Sequence, residues 1–172
     1  NAGFEDQRYL GILVRMNKNR VRAFQGDALE QLSWARYFAH YFNLLVCLEF
    51  VDLTRWLEKE TGNKFTPSNI NLLASEFGGS DIQNLNDLKV FLKGEVSRLQ
   101  VQVNNPSRDY GIVVSMAESP LRTFASAIGE SGLLGDRVIF CCIDEYENLL
   151  DYQQAVLNTY IKHAEPPLSY KV

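Results

Sequence analysis

The feature that most constrains the fold is an uncharged run of six residues, VIFCCI, that leads directly into Asp144 and Glu145. Strands inside parallel sheets are covered on both faces, so they read as continuous apolar runs rather than as an alternation. A helical pattern follows at 149–164, and a short apolar alternation, LSYKV, comes after it. We therefore predict a strand over 137–143, a helix and a second strand, which together form the unit of a parallel α/β sheet.

The earlier part of the chain reads as one strand followed by helices. The run YLGILVRM predicts a strand over 9–16, and NKNRVRAFQGD predicts an irregular connection after it. A long helical pattern extends from Ala28 to Thr61, with Asp27 and Glu30 as a capping box and Gly62 as the stop. The remaining predictions are a helix over 67–77, an amphipathic helix from Leu85 to the NNPS segment, a strand over 110–116 and a helix from Ser119 to about Ile128.

These elements predict an α/β fold with a partial parallel sheet and a large helical portion. A chain of 172 residues is long enough to bury a sizeable core and short enough for one domain. We therefore expect a single domain over 1–172. It comprises a strand and loop at 3–26, a mainly helical part at 27–130 and the strand, helix and strand at 137–172.

Composition excludes some classes of protein. The chain has 17 Lys and Arg against 21 Asp and Glu, a net charge of −4, which gives no surface-wide footprint for nucleic acid. No apolar stretch reaches the roughly 18 residues that span a bilayer, so we expect no membrane partner. The cysteines Cys47, Cys141 and Cys142 lack metal-binding spacing and are predicted to be reduced core thiols of a cytoplasmic protein.

The two carboxylates at the strand end allow two interpretations. Functional residues of open α/β sheets gather at the carboxyl ends of the strands, where Asp144 can hold Mg²⁺ and Glu145 can orient or deprotonate a water molecule. The alternative is that both residues only solubilise the end of a core strand. In that case the chain is a helical α/β interaction module without chemistry. A Mg²⁺-dependent nuclease is a third possibility, and it requires further acidic residues near Asp144.

Two longer segments resemble a known family. IFCCIDEYENLLDYQQAVLNTYIKH resembles the Walker B strand and the following helix of P-loop ATPases of the AAA+ and STAND type. In particular, this segment resembles bacterial proteins grouped with the origin-recognition-complex-like ATPases. MNKNRVRAFQG and FAHYFNLLVCLE resemble the segment that these proteins carry after their P-loop module. The resemblance is weak between residues 61 and 137.

The resemblance implies a role for each carboxylate. Asp144 would be the Mg²⁺-associated Walker B aspartate, Glu145 would be the catalytic glutamate, and LSYKV would begin the strand that carries a sensor residue. However, no segment of the chain matches GxxxxGK[ST], the loop that holds the phosphates. We therefore expect the full-length protein to be an ATPase that uses ATP and Mg²⁺. This fragment, with the P-loop upstream of it, is expected to bind neither and to be inactive.

Other polar and aromatic residues have structural interpretations. His40 is predicted to be a hydrogen-bonded histidine inside the long helix, and His163 to lie in the last helical turn, where the dipole favours a cation. The basic run at 15–22 is a solvated loop, a contact for a nucleic acid or protein partner, or a segment that places an arginine near a neighbour's nucleotide. Glu147 and Asp151 suit the start of a helix. The aromatic residues of the long helix are expected in the core and, if exposed, would promote self-association (Trp34, Tyr37, Phe38, Tyr41, Phe42).

Overall fold

Three parallel strands form the sheet. The structure, a computed structural model, describes residues 3–172. β1 (Tyr9–Arg15), β2 (Val138–Asp144) and β3 (Leu168–Lys171) lie side by side in the order β1-β2-β3, with β2 in the middle. Both pairings are parallel. The predicted strand–helix–strand unit and its parallel sheet are therefore confirmed.

Helices make up most of the rest of the chain, as the predicted α/β class with a partial sheet and a large helical portion requires. A 3-10 turn at Phe4–Asp6 precedes β1, and another at Tyr146–Asn148 follows β2. The α-helices are α1 (Lys18–Val21), α2 (Gln31–Thr61), α3 (Pro67–Ser75), α4 (Leu85–Asn104), α5 (Ser119–Glu130) and α6 (Asp151–Lys162).

α2 is the central element of the core. Its middle is apolar on nearly every side, and it packs against β1, α4, α5 and α6. Phe38, Phe42 and Phe50 are fully buried along it, so the predicted burial on several faces is confirmed. The helix ends at Gly62, whose φ of 74° is the left-handed conformation expected of a glycine C-cap.

The sheet is covered on one face and open on the other. Parallel crossovers are right-handed, and the strand order makes both connections run in the same direction, so α2–α5 and α6 fall on one face. The strand residues buried on that face are Leu10, Ile12, Val14, Ile139, Cys141, Ile143 and Leu168. On the opposite face Tyr9 is 65% and Leu13 53% exposed, and Val138, Phe140 and Cys142 are half-buried.

The predicted start of α2 was wrong. α2 begins at Gln31 with Glu30 as its N-cap, and Asp27 lies in a turn. Gly26 adopts a φ of 124° and its carbonyl accepts a hydrogen bond of 2.9 Å from Trp34 Nε1, so the chain folds back before the helix starts. α5 begins at Ser119, as predicted, and the Ser119 hydroxyl donates to the Glu76 carboxylate.

Two other segments also differ from prediction. Residues 110–116 form neither strand nor helix: Gly111 has a φ of 68°, and no strand of residues 3–172 pairs with the segment. The connection after β1 is partly helical rather than irregular, because the Asn17 side chain accepts hydrogen bonds from the Asn19 and Arg20 amides and caps α1.

The cysteines are free thiols, as predicted. Cys47 and Cys141 are buried and Cys142 is half-buried on the open face of the sheet. Burial raises the pKa of the Cys47 thiol and raises that of Cys141 to about 12, so both remain protonated core groups. Among residues 3–172, no helix combines the length and the apolar character that a membrane span requires.

Candidate functional site

Asp144 and Glu145 lie at the carboxyl end of the middle strand. Asp144 is the last residue of β2, and the register places it beside Arg15, the last residue of β1. The two side chains come from positions 129 residues apart in sequence. The parallel pairing alone therefore brings a cation to the carboxylates. This contact lies at the carboxyl ends of the strands, where α/β proteins place their functional groups.

Both carboxylate oxygens of Asp144 have partners. Oδ1 accepts a hydrogen bond of 2.9 Å from the backbone amide of Glu145, and Oδ2 accepts one of 3.2 Å from Arg15 Nε. The Asp144 side chain remains 44% exposed and that of Arg15 61% exposed. Asp144 is therefore oriented by its neighbours and still accessible to water.

Glu145 has a backbone conformation that is rare outside glycine. Its φ of 59° and ψ of 33° are left-handed, which disfavours a side chain by about 1 kcal/mol. This turn sends the chain away from the strand and directs the carboxylate back toward it. Oε1 lies 3.4 Å from Arg15 Nε, and Oε2 accepts a hydrogen bond of 2.8 Å from Asn148 Nδ2.

Asn148 fixes the loop that carries Glu145. Its amide nitrogen donates both to Glu145 Oε2 and, at 3.1 Å, to the carbonyl of Met16 just beyond β1. The loop is thereby attached to the neighbouring strand as well as to β2. Sequence reasoning did not identify Arg15 or Asn148 as site residues, because their contacts depend on the pairing of distant strands.

The start of α6 is anchored beside this loop. Gln153 accepts a hydrogen bond of 3.0 Å from the Leu150 amide and donates one of 2.7 Å to the Val21 carbonyl in α1. Tyr152 donates to the carbonyl of Phe24. Asp151 is the first residue of α6, as predicted, whereas Glu147 lies in the 3-10 turn before the helix; both are exposed, and neither makes an ion pair within residues 3–172.

The donor set at the strand end is small. Asp144 and Glu145 supply two carboxylates, and within residues 3–172 no group of three or more His, Cys, Asp and Glu residues is placed to hold a metal. Mg²⁺ takes six oxygen ligands and in phosphate-transfer sites binds one or two carboxylates together with substrate phosphates and water. The residues present therefore suit a metal shared with a phosphate group rather than an all-protein cage.

A second polar cluster is closed to solvent. His40, Asn43, Ser115 and Tyr160 are all buried, and we call them the buried polar cluster. Ser115 N donates to His40 Nδ1 at 3.0 Å, Asn43 Nδ2 donates to Ser115 Oγ at 3.0 Å, and Tyr160 OH donates to Asn43 Oδ1 at 2.9 Å. Burial lowers the pKa of His40 to about 4 and raises that of Tyr160. The prediction of a hydrogen-bonded core histidine is confirmed.

The remaining sequence candidates lie away from the strand end. His163 follows the last turn of α6 and lies 3.5 Å from Glu118. The aromatic residues of α2 are in the core, with Trp34, Tyr41 and Phe42 buried and Tyr37 partly buried. This removes the aromatic surface that was considered for self-association. Of the basic run, only Arg15 contacts the carboxylates.

Comparison with known proteins identifies one related group. A family model described as ORC-CDC6-like matches residues 1–172. No curated protein and no solved structure matches the chain. The family match extends over both segments on which the sequence resemblance rests and over the region between them.

Proposed function

The chain belongs to the ORC-CDC6-like family, and from this premise we propose that it supplies the acidic half of the nucleotide site of an AAA+-type ATPase. The family relates it to AAA+ ATPases, in line with the predicted resemblance. The STAND assignment, the fragment status and the roles of individual residues are part of the proposal.

The observation that carries the proposal is the placement of two carboxylates at the end of the middle parallel strand. Asp144 is the last residue of β2, and Glu145 follows it in a strained left-handed conformation. Strained non-glycine residues concentrate at functional sites, where the surrounding structure maintains them. Arg15 and Asn148 provide that support for Glu145.

Each carboxylate has a distinct role in this proposal. Asp144 would hold Mg²⁺ directly or through water, and the bound Mg²⁺ would neutralise charge on the phosphates of ATP. Glu145 orients a water molecule through a carboxylate oxygen and accepts its proton as the water attacks the γ-phosphate. Asn148 donates a hydrogen bond to Glu145 Oε2. The other oxygen, Oε1, is therefore the one that binds the water molecule, in place of its contact with Arg15.

The open face of the sheet supports a further segment in the complete protein. Parallel sheets are normally covered on both faces, whereas here Tyr9, Leu13 and Phe140 line an uncovered one. The 172 residues also lack the GxxxxGK[ST] loop that holds phosphates. We propose that a segment carrying this loop packs on the open face and completes the site with ATP.

The decisive test is Glu145→Gln in the full-length protein. The variant retains the shape of the side chain and loses its basicity, so hydrolysis should fall by about 100-fold or more while ATP affinity changes by no more than about twofold. Glu147→Gln is the matched control, because Glu147 is exposed two residues later and should leave turnover unchanged. Turnover and nucleotide affinity are measured separately, by phosphate release and calorimetry.

Three results would contradict the proposal in different ways. Turnover that survives Glu145→Gln excludes the assigned role of Glu145. The non-catalytic interaction module is favoured if the parent protein has no NTPase activity. It is also favoured if the Asp144→Ala, Glu145→Ala double variant is as active as the parent. Mg²⁺-dependent cleavage of nucleic acid that requires both carboxylates would favour the nuclease, although residues 3–172 bring no third acidic residue to them.

The 172-residue chain by itself gives a second test. Without a phosphate-holding loop, the two carboxylates repel the phosphates of ATP, so calorimetry should detect no binding in the presence of Mg²⁺. Micromolar affinity for ATP would show that these residues contain a complete nucleotide site and that no further segment is needed.

A further inference from the structure

The outer edge of β1 borders a groove that the nucleotide site does not use. The groove has a volume of about 580 Å³ and separates β1 from α2; we call it the β1 groove. The strand side is formed by residues 9–13. The helix side is formed by Glu49, Asp52, Leu53 and Trp56. It lies at the opposite edge of the sheet from β3.

The backbone of β1 presents free hydrogen-bonding groups to this groove. The Arg8 carbonyl and the Met16 amide both bond to the β2 side, so the period of two directs residues 10, 12 and 14 toward β2. Tyr9, Gly11 and Leu13 therefore direct their N–H and C=O groups outward. Among residues 3–172 no strand pairs with this edge. Such a row of unpaired groups is a template for an added strand.

The helix side provides an anchored aromatic surface. Trp56 is partly exposed in the groove, and its ring packs edge to face on Phe4 with 5.2 Å between centroids. Phe4 is itself covered by the Arg137 guanidinium, 3.8 Å from the ring centroid. Trp56 is thus held in place before any partner arrives, which reduces the entropy lost on binding.

The same side carries negative charge. Asp52 pairs with Lys89 at 2.6 Å, whereas Glu49 makes no ion pair within residues 3–172. Partial burial raises the pKa of the Glu49 carboxyl, and the nearby Asp52 adds to this effect, while Lys89 opposes it without cancelling it. A cationic side chain placed in the groove would relieve this unfavourable environment.

We propose that the β1 groove binds an extended segment of a partner protein as an additional strand, with basic side chains facing Glu49 and Asp52. The outward backbone groups supply the hydrogen bonds, and the acidic helix side selects the charge. A second copy of this chain is a poorer occupant. Two-fold pairing of β1 with itself would bring two acidic helix sides together.

The test uses a fluorescein-labelled octapeptide of alternating Lys and Val as the probe and the full-length protein as the target. Fluorescence anisotropy should show saturable binding that weakens with salt. Gly11→Pro removes one outward N–H without removing a bond to β2, and it should weaken binding about tenfold. Gly11→Ala is the matched control: its Cβ meets no atom within 4 Å, so affinity should change by less than about twofold.

Charge and position are tested separately. Glu49→Gln should weaken binding about fivefold, as loss of one ion pair predicts. Hydrogen exchange in the unmodified protein should slow at the amides of Tyr9, Gly11 and Leu13 when the peptide is added. This measurement remains informative if the Gly11→Pro variant does not fold.

Several outcomes overturn the proposal. These are no binding of the alternating peptide, equal binding of a block peptide with four Lys followed by four Val, or unchanged exchange at the three amides. A dimer in sedimentation velocity that Gly11→Pro abolishes would assign the groove to a second copy. None of these results depends on ATP hydrolysis, so they are separable from failure of the proposed ATPase role.

Discussion

Two polar regions of this protein differ in how far their side chains are exposed to solvent. In the buried polar cluster, hydrogen bonds join His40, Asn43, Ser115 and Tyr160 in one chain that solvent does not reach. At the strand end, Asp144 and Glu145 also have partners, but their side chains are 44% and 37% exposed. Water and ions can therefore replace Arg15 at the strand end, whereas the residues of the cluster are at most 5% exposed and bond to one another.

The difference shows how to separate structural from functional polar residues. Leaving a buried polar group unpaired costs about 1 to 3 kcal/mol, and accordingly every polar side-chain atom of the cluster except His40 Nε2 has a partner. An exposed pair contributes little to stability, so its placement and strain call for another explanation. By this criterion the cluster holds the fold together and the strand end is available for chemistry.

The largest effect on stability is expected from Asn43→Ala in the buried polar cluster. The change removes bonds to Ser115, Tyr160 and the Met116 carbonyl, and it leaves a small cavity. We expect the free energy of unfolding to fall by about 4 kcal/mol. Urea unfolding measures this as a lower midpoint. Asn104→Ala, at an exposed position in α4, is the control and should shift it by less than about 0.5 kcal/mol.

The second largest effect on stability is expected when the pH is lowered, because the buried polar cluster contains His40. His40 has a pKa of about 4 in the folded protein and about 6.5 when unfolded. Between these values the unfolded state binds more protons, so the free energy of unfolding decreases as the pH falls from 6.5 toward 4. The decrease should approach about 3 kcal/mol. Urea unfolding at closely spaced pH values provides the measurement.

The pH effect is assigned by comparing two histidines. In His40→Gln the position no longer titrates. The difference in the free energy of unfolding between the parent protein and this variant should therefore shrink steadily below pH 6.5. His163→Gln is the control, because His163 follows the last turn of α6 and is not part of the buried polar cluster. A profile that follows His163 instead would show that the cluster does not exclude the proton.

The smallest effect is expected at the strand end, where two arginines provide the comparison. Arg15→Gln removes an exposed pair with Asp144 and Glu145, and the free energy of unfolding should change by less than about 1 kcal/mol. Arg137 donates to the carbonyls of Phe4, Gln7 and Leu134, so Arg137→Gln should cost about 2 kcal/mol. Equal losses in the two variants would show that the pair of Arg15 with the carboxylates contributes as much to stability as the three backbone bonds of Arg137.

Much of the fold was predictable because its signals are local. The apolar run at 138–143 predicted a central strand, and Gly62 marked the end of α2 to the residue. The start of α2 was not predictable, since it depends on the bond from Trp34 Nε1 to the Gly26 carbonyl. The segment at 110–116 has strand-forming residues, but strand formation requires a free edge beside it, and Ser115 instead packs on α2.

The candidate site was half predictable. Two carboxylates after an apolar strand indicated Asp144 and Glu145, and their assigned roles remain predictions. Arg15 and Asn148 carried no sequence signal, because an arginine after a strand and an asparagine in a turn are common. The exposed sheet face and the β1 groove could not be predicted either, since the open face depends on the direction of the two crossovers and the groove on which strand lies at the edge.

The sequence by itself determined the elements whose causes lie within a few residues. Hydrophobic period, glycine stops and proline starts select helix or strand from near neighbours alone. The tertiary structure decided which distant groups meet: the register that places Arg15 beside Asp144, the cluster that buries His40, and the crossovers that leave one sheet face open. The physical reason is that register and handedness are properties of paired strands, and no single segment of the chain contains both partners.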